Sequence, residues 1–276
     1  KPLRILSQAA RKVAAGDFSV QIPPVRRDGK KDELEVLIED FNTMARELAG
    51  NEMLKSDFIA NVSHEIKTPL SIIQSYTKAL KDGCVPEAQK EQYMDAILAA
   101  SSNLSLMVTN ILKLNKLENQ RIFPAPESYP LGEQLRLCAL GFMERWQEKN
   151  IAFSIDVADV TVRYDPSLLE LVWNNLLSNA IKFTPRGGAI ALTSHTEGNK
   201  VFVTVRDTGC GMDAQSQQKM FEKFYQGDPS HAAEGNGLGL ALVKKVLEIV
   251  NGEISVRSSP GEGSAFTVVL ETDAAS

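Results

Sequence analysis

Residues Phe58 to Leu70 read Phe-Ile-Ala-Asn-Val-Ser-His-Glu-Ile-Lys-Thr-Pro-Leu, and the reading of the chain starts from them. Val62 and Ile66 stand one turn apart and share the apolar face of a helix. His64, two residues past Val62, lies about 200° further round at 100° per residue, so it points away from that face. An imidazole held in solvent is available to react. Its uncharged form keeps a ring-nitrogen lone pair that suits attack on phosphorus as well as general-base work. Thr68 lies one turn beyond His64 and brings its hydroxyl to the same face. Pro69 lacks the N–H that would bond the carbonyl of Glu65 and is expected to kink the helix beside the reactive residue.

Upstream, Leu3, Leu6, Ala10 and Val13 step by three and four residues, the seam of a coiled coil. Gly16 breaks it, Phe18, Val20 and Ile22 alternate as an extended connector up to Pro23-Pro24, and Arg26 to Lys31 is polar loop. A second seam follows Asp32: Leu34, Leu37, Phe41, Met44 and Leu48. Two such short helices cannot bury their seams alone, so self-association is implied. Leu54 follows Leu48 after a gap of six where the seam expects seven. Such a phase slip locally unwinds or overwinds a coiled coil, and the one near Asn51 is expected to pass upstream motion to His64. Beyond the histidine the seam continues through Ile66, Leu70, Ile73, Thr77 and Leu80. After a turn at Asp82 to Pro86 a second helix carries Tyr93, Ile97, Ala100, Leu104, Met107, Ile111 and Leu114. Two antiparallel helices with one stripe each need two more to close a core. The economical expectation is a homodimeric four-helix bundle with one His64 per subunit, and Phe123-Pro124-Ala125-Pro126 is the expected hinge after it.

From about Glu127 the pattern changes to mixed helix and strand. Helices are predicted over Leu131 to Lys149, Ser167 to Phe183 and Leu238 to Val250. Strands are predicted over Ile151 to Val157, Val160 to Tyr164, Ile190 to His195, Val201 to Arg206, Ile254 to Arg257 and Phe266 to Leu270. That makes a two-layer α/β sandwich with a mixed sheet.

This second region holds the remaining chemistry. Asn175, Asn179 and Lys182 share a helix face at i, i+4 and i+7. Asparagine is a poor interior helix residue, so this face is either ordinarily solvated or suited to a polar ligand. Amide oxygens can complete a Mg²⁺ shell and a lysine can meet phosphate. Asp207-Thr-Gly209-Cys-Gly211-Met212 follows a strand: its glycines allow backbone close to a planar ring, and the Asp can accept from an exocyclic amine or simply cap the turn. Gly235-Asn-Gly237-Leu-Gly239 opens a helix, whose bare N–H groups suit phosphate. Phe221-Glu-Lys-Phe224 and the segment from Gly227 to Glu234 read as a mobile lid held by aromatics.

Taken with their order, these motifs resemble the sensor histidine kinases of two-component systems. Ser63 to Leu70 matches the phosphoacceptor box without substitution. Pro2-Leu3-Arg4, Gly16-Asp17-Phe18, Asp32-Glu33-Leu34 and Phe41-Asn42-x-Met44 resemble a HAMP relay, and the later motifs resemble the N, G1, F and G2 boxes of the Bergerat ATP-binding fold. The resemblance implies a HAMP domain over 1–50, a dimerisation and phosphotransfer hairpin over 51–122 and a catalytic ATP-binding domain over 127–273. It implies ATP with Mg²⁺, the metal on Asn179 with Asn175 nearby, Lys182 on phosphate and Asp207 on the adenine amine. Gly209, Gly211 and Phe224 would complete the nucleotide site, and Gly235, Gly237 and Gly239 would shape the lid hinge. His64 would take the phosphoryl group, Glu65 the proton, and Thr68 would orient water for a reverse phosphatase step. The implied partners are a second copy and a response-regulator receiver domain. The implied place is the cytoplasmic portion of a bacterial inner-membrane sensor, anchored by a helix before Lys1. One position departs: Gln226 stands where the family usually carries a lid arginine, with Lys223, Arg186, Lys244 or Lys245 as cations that could replace it.

Composition excludes little but is consistent. The net charge of -5 argues against nucleic acid as a partner, since phosphate backbones need a basic surface. Three cysteines without a Cys-x-x-Cys pair suggest neither zinc nor a disulfide framework. No unbroken apolar run reaches the roughly 18 residues of a membrane span, so the chain reads as soluble. Because Lys1 is not a methionine, the sequence is expected to be a fragment.

Overall fold

The computed structural model describes residues 2–25, 32–119, 124–227 and 236–272. By their contacts, two units form, Lys1–Thr68 and Pro69–Ser276.

The first unit begins with helix α1 (Pro2–Ala14). The helix ends at Gly16, whose φ of +93° lets its N–H reach back to the Val13 carbonyl at 3.0 Å. The connector alternates as expected, with Ile22 buried and Phe18 and Val20 packed against the same core. Helix α2 (Glu33–Lys81) starts where Asp32 Oδ1 accepts bonds from the backbone N–H groups of Leu34 (3.2 Å) and Glu35 (3.0 Å). Asn42 clamps the connector to α2: its amide accepts from Ile22 N and donates to Ile22 O, both at 2.8 Å. Glu35, itself buried, accepts from Val25 N at 2.7 Å.

The core of this unit is Ala9, Val13, Ile22, Ile38, Phe41 and Ala45, with Leu6 and Leu34 at its edge. Part of each expected seam is therefore elsewhere. Leu3 and Ala10 on α1, and Leu37, Met44 and Leu48 on α2, are exposed. The reason is that each helix carries two adjacent apolar stripes, and a single chain can bury only one. The Arg26 to Lys31 loop and the side chains of Asn51 and Leu54 lie outside the described residues, and the expected phase slip with them. Helix α2 is not broken at Pro69, which lies inside it.

In the second unit the end of α2 is followed by α3 (Glu87–Asn119), and the Tyr76 and Tyr93 rings meet at 4.6 Å. Ala100, Met107 and Leu114 are buried at seven-residue spacing, as the predicted seam requires. By length and average composition α3 could cross a membrane. Its heptad burial marks it instead as a bundle helix.

The α/β part of this unit contains β1 (Glu127–Pro130), α4 (Leu131–Leu140), α5 (Met143–Glu148), β2 (Ala152–Asp156), β3 (Thr161–Tyr164) and α6 (Pro166–Phe183). After these come β4 (Ala189–Glu197), β5 (Lys200–Asp207), α7 (Ala214–Lys219), α8 (Gly239–Val250), β6 (Glu253–Ser259) and β7 (Gly263–Glu271). The sheet runs β2-β4-β5-β7-β6, with β2 parallel to β4 and every other pair antiparallel. β1 and β3 form a separate ribbon. Helix α6 packs between α4 and α8 and against β5, giving the expected two layers. Val201, Val203, Val205 and Asp207 alternate inward along β5, so the strand's last inward residue is a carboxylate rather than a valine. The single helix predicted over Leu131 to Lys149 is two, because the chain turns at Gly141-Phe142. The short β1 and α7 were not predicted. Phe123 of the expected hinge lies outside the described residues.

Helix α6 carries the functional face, and both its ends are fixed. Asp165 caps the N-terminus by accepting from Ser167 N at 2.9 Å, with Pro166 opening the helix. At the C-terminus Lys149 Nζ donates to the carbonyls of Ile181 (2.8 Å), Lys182 (2.9 Å) and Thr184 (3.2 Å), which leaves the last turn satisfied and its dipole opposed by a cation.

Candidate active site

In the first unit, Val62 and Ile66 are half-buried and the His64 side chain is 80% exposed, as the helical phase requires. Its Nδ1 lies 4.0 Å from Glu65 Oε1, next to a carboxylate but beyond hydrogen-bond length. Thr68 Oγ1 donates to the His64 carbonyl at 3.4 Å, on the same face.

In the second unit a pocket of about 500 Å³, the size of a nucleotide site, is lined by Asn175, Asn179 and Lys182 of α6 and by Asp207 at the end of β5. Asp207 is buried; its Oδ1 accepts from Gly209 N at 2.8 Å. Burial pushes this carboxyl above the usual range, and backbone hydrogen bonds from Gly209 and Ser264 partly offset the push. Ser264 is opposite Asp207 in the β5–β7 register, a neighbour the motif alone did not name. Gly211 and Met212 line the pocket beside it.

At the α8 end of the pocket, Asn175 Nδ2 donates to Leu171 O at 2.7 Å, which turns its oxygen toward Gly239. A Cβ at position 239 would stand 2.7 Å from that oxygen, so glycine is what lets helix α8 start there. Phe224 has a φ of +64° and donates its N–H to the Gly237 carbonyl at 3.0 Å. Gly237 also has a φ of +64°, and a Cβ on it would fall 2.6 Å from the Phe224 carbonyl carbon. The lid base and the start of α8 are thus locked together through two left-handed residues.

The fold brings Asn175, Asn179, Lys182, Asp207, Gly211, Gly237 and Gly239 onto one pocket. Gly209 and Phe224 do not line it but donate their N–H groups to Asp207 and Gly237, which do, while Gly235 and the lid segment 228–234 lie outside the described residues. Gln226 lines the pocket, and among the described lining residues Lys182 is the one cation. Lys223 instead pairs with Glu118 of α3 at 2.6 Å, and Lys245 with Glu248 at 3.4 Å. Leu106 and Asn110 of α3 also line the pocket, which sequence reasoning did not foresee because nothing in a heptad reports its outward neighbours. Among the described residues no three His, Cys, Asp or Glu side chains converge on a metal position. Amide oxygens beside bound phosphates suit Mg²⁺, which commonly keeps few protein ligands.

Three domain families match the chain. Residues 1–50 match the HAMP domain family, residues 54–120 the His Kinase A (phospho-acceptor) domain, and residues 164–274 the histidine kinase-, DNA gyrase B- and HSP90-like ATPases. The chain thus carries, in order, three domain families that occur together in sensor histidine kinases. It is 30% identical over 275 residues to the signal transduction histidine-protein kinase BaeS of Escherichia coli, and 30% identical over 271 residues to the heme sensor protein HssS of Staphylococcus saprophyticus. Each match covers 98% of this chain and 57% of the relative, so the chain spans little more than half of either protein. Full-length ShkA, solved in complex with AMPPNP, is 27% identical with a TM-score of 0.58, over 79% of this chain and 47% of that one. The histidine kinase ThkA, solved with the response regulator protein TrrA, shares the fold: TM-score 0.68 at 24% identity, over 81% of this chain and 64% of that one.

Proposed function

We propose that this chain is the signalling core of a homodimeric sensor kinase. It moves the γ-phosphoryl group of ATP to His64 and then to an aspartate of a response-regulator receiver domain, with a reverse phosphatase activity. The observation that carries the reading is a bare histidine followed by a carboxylate on one helix, in a chain whose other unit holds a nucleotide-sized pocket ending on a buried aspartate.

Asp207, acting as a carboxylate, accepts the adenine amine, and Lys182 neutralises phosphate charge. Asn179, with Asn175 beside it, would hold Mg²⁺, which supplies further charge neutralisation when bound. The His64 Nε2 lone pair forms a bond to the γ-phosphorus as the bond to the bridging oxygen breaks, and ADP leaves with that electron pair. The Nδ1 proton passes to Glu65 once rotation closes their 4.0 Å separation to hydrogen-bond reach. In the reverse direction Thr68 orients the water that attacks the receiver's phosphoaspartate. The exposed stripes of α1, α2 and α3 support a second copy as partner, and the HAMP match supports a membrane-bound sensor with this portion in the cytoplasm.

Incubation with γ-labelled ATP and Mg²⁺, followed by addition of a receiver domain, tests the reading. Expected is an acid-labile, alkali-stable label that moves to the receiver, with Thr68→Ala losing dephosphorylation while keeping autophosphorylation. Gln226, with Lys182 the one lining cation among the described residues, favours a second reading in which phosphatase activity dominates. ATP binding without label, beside rapid dephosphorylation of a phosphorylated receiver, would select it.

A further inference from the structure

Helix α6 has a cavity on each flank. Asn175 lines the pocket described above, while its neighbour Asn174 lines a second hollow of about 680 Å³, walled by β1, α4 and the first half of α6. Tyr129, Leu137, Cys138 and Phe142 supply much of its apolar surface, and Glu133 and Glu170 supply its charges. Gln134 fixes the wall. Its Oε1 accepts from Tyr129 Oη at 3.0 Å and from Trp173 Nε1 at 3.1 Å, and its Nε2 donates to the Pro166 carbonyl at 2.7 Å. A fully satisfied network of this kind is rigid, so the hollow is a built feature of the α4–α6 packing.

Charge narrows what fits there. Among the described residues no lysine or arginine lines the hollow, and neither Glu133 nor Glu170 has an ion-pair partner. The nearby cations are engaged: Arg136 pairs with Asp159 at 3.1 Å, and Arg145 stands over the Phe142 ring at 5.8 Å. The wall feels the uncompensated charge. The Cys138 thiol is pushed up to about 12, by burial first and then by Glu170.

Apolar surface narrows it further. Leu137, Leu140 and Met143 are 70%, 53% and 43% exposed, and Leu137 and Leu140 stand one turn apart on α4. The uncovered apolar surface therefore runs on past the hollow, as it does at protein-binding grooves. A small organic cation would fill the hollow and leave Leu140 and Met143 in water. A helix with leucines on one face and lysines or arginines beside them covers both, because the stem of a basic side chain lies on apolar surface while its head reaches a carboxylate at the rim.

We infer that the groove between α4 and α6 docks a basic amphipathic helix of a partner protein, its cations meeting Glu133 and Glu170 and its apolar face covering Leu137, Leu140 and Met143. This surface is separate from the nucleotide pocket, and its occupancy does not depend on that pocket's reading.

The test uses the full 276-residue chain and a short fluorescein-labelled helical peptide with leucines on one face and lysines along both edges, read by fluorescence anisotropy. The same peptide with glutamate for lysine is the charge control. Binding of the lysine peptide should weaken roughly tenfold in Glu133→Gln with Glu170→Gln, and by a similar factor in Leu137→Ala with Leu140→Ala. Glu197→Gln with Glu262→Gln removes the same charge from exposed positions elsewhere and should leave binding unchanged. Melting temperatures of all three double variants should hold, since the altered side chains are exposed. Equal losses in the Glu197 and Glu262 pair would reduce the effect to net charge and overturn the inference. So would tight binding of the glutamate peptide, or no binding of the lysine peptide. Benzyltrimethylammonium binding that depends on Glu133 and Glu170, without peptide binding, would overturn it in favour of a small cation. If one groove variant fails to fold, the other still decides.

Discussion

In the α/β body, Trp173, Leu176 and Val203 are fully buried by their own chain, while Leu3, Leu98 and Leu112 of the helical elements stand 68%, 64% and 65% exposed. The candidate site residues divide in the same sense. Asp207 is enclosed at the end of a strand, and His64 stands in solvent on a helix. The α/β body is thus complete as a folded object, whereas the helical region shows apolar stripes that its own chain leaves uncovered. On the proposed function, the group that meets ATP and then a receiver domain has to be accessible, and the group that reads adenine has to be dry.

The largest effect expected from this contrast is on assembly. Leu98→Glu with Leu112→Glu should convert a dimer to a monomer in sedimentation velocity while ADP affinity stays unchanged; a chain that remains dimeric would place the interface elsewhere. Next is core packing: Leu176→Ala should cost about 2–5 kcal/mol in denaturant unfolding of the α/β body. Leu98→Ala, exposed in the single chain, should cost less than about 0.5 kcal/mol in a monomeric background. Similar costs at the two positions would erase the distinction. Gly237→Ala forces a side chain into a left-handed conformation against Phe224, so about 1–2 kcal/mol of stability and part of the ADP affinity should go.

The smallest effect is on pH. The folded pKa of Asp207 is raised above the ordinary 3.8 by burial, so the native state holds this proton longer than the unfolded chain does. Its contribution to stability therefore declines as pH rises from that ordinary value through the raised one. ADP affinity should move the other way, weakening as pH falls through the same window, because the amine needs the carboxylate. A calorimetric series from neutral pH downward checks the sign, with Asp207→Asn as the variant that should lose this dependence.

Much of this was legible in the sequence, for physical reasons that differ by region. The inward alternation of Val201, Val203 and Val205 reads directly as a strand buried on one face, and Asp207 is found by continuing it. The α3 seam was equally plain, since Ala100, Met107 and Leu114 follow one heptad. In α1 and the start of α2 the spacing found apolar residues but not which stripe the chain buries, because Leu3 and Ala9 are both apolar and lie on neighbouring faces. The four-residue β1 ends in proline, and α7, Ala-Gln-Ser-Gln-Gln-Lys, has no apolar stripe, so neither gave a periodic signal. Lys149 acts through contacts with distant backbone carbonyls, which no local pattern carries.

The separability of the two regions is tested most directly by two variants measured in parallel for ATP binding and for phosphoryl incorporation. His64→Gln should bind ATP with wild-type affinity and take up no phosphoryl group, while Asp207→Asn should lose both. Acid-labile label on the His64→Gln chain, or undiminished ATP binding by Asp207→Asn, would contradict the assignment of acceptor to the bare histidine and of nucleotide to the buried aspartate.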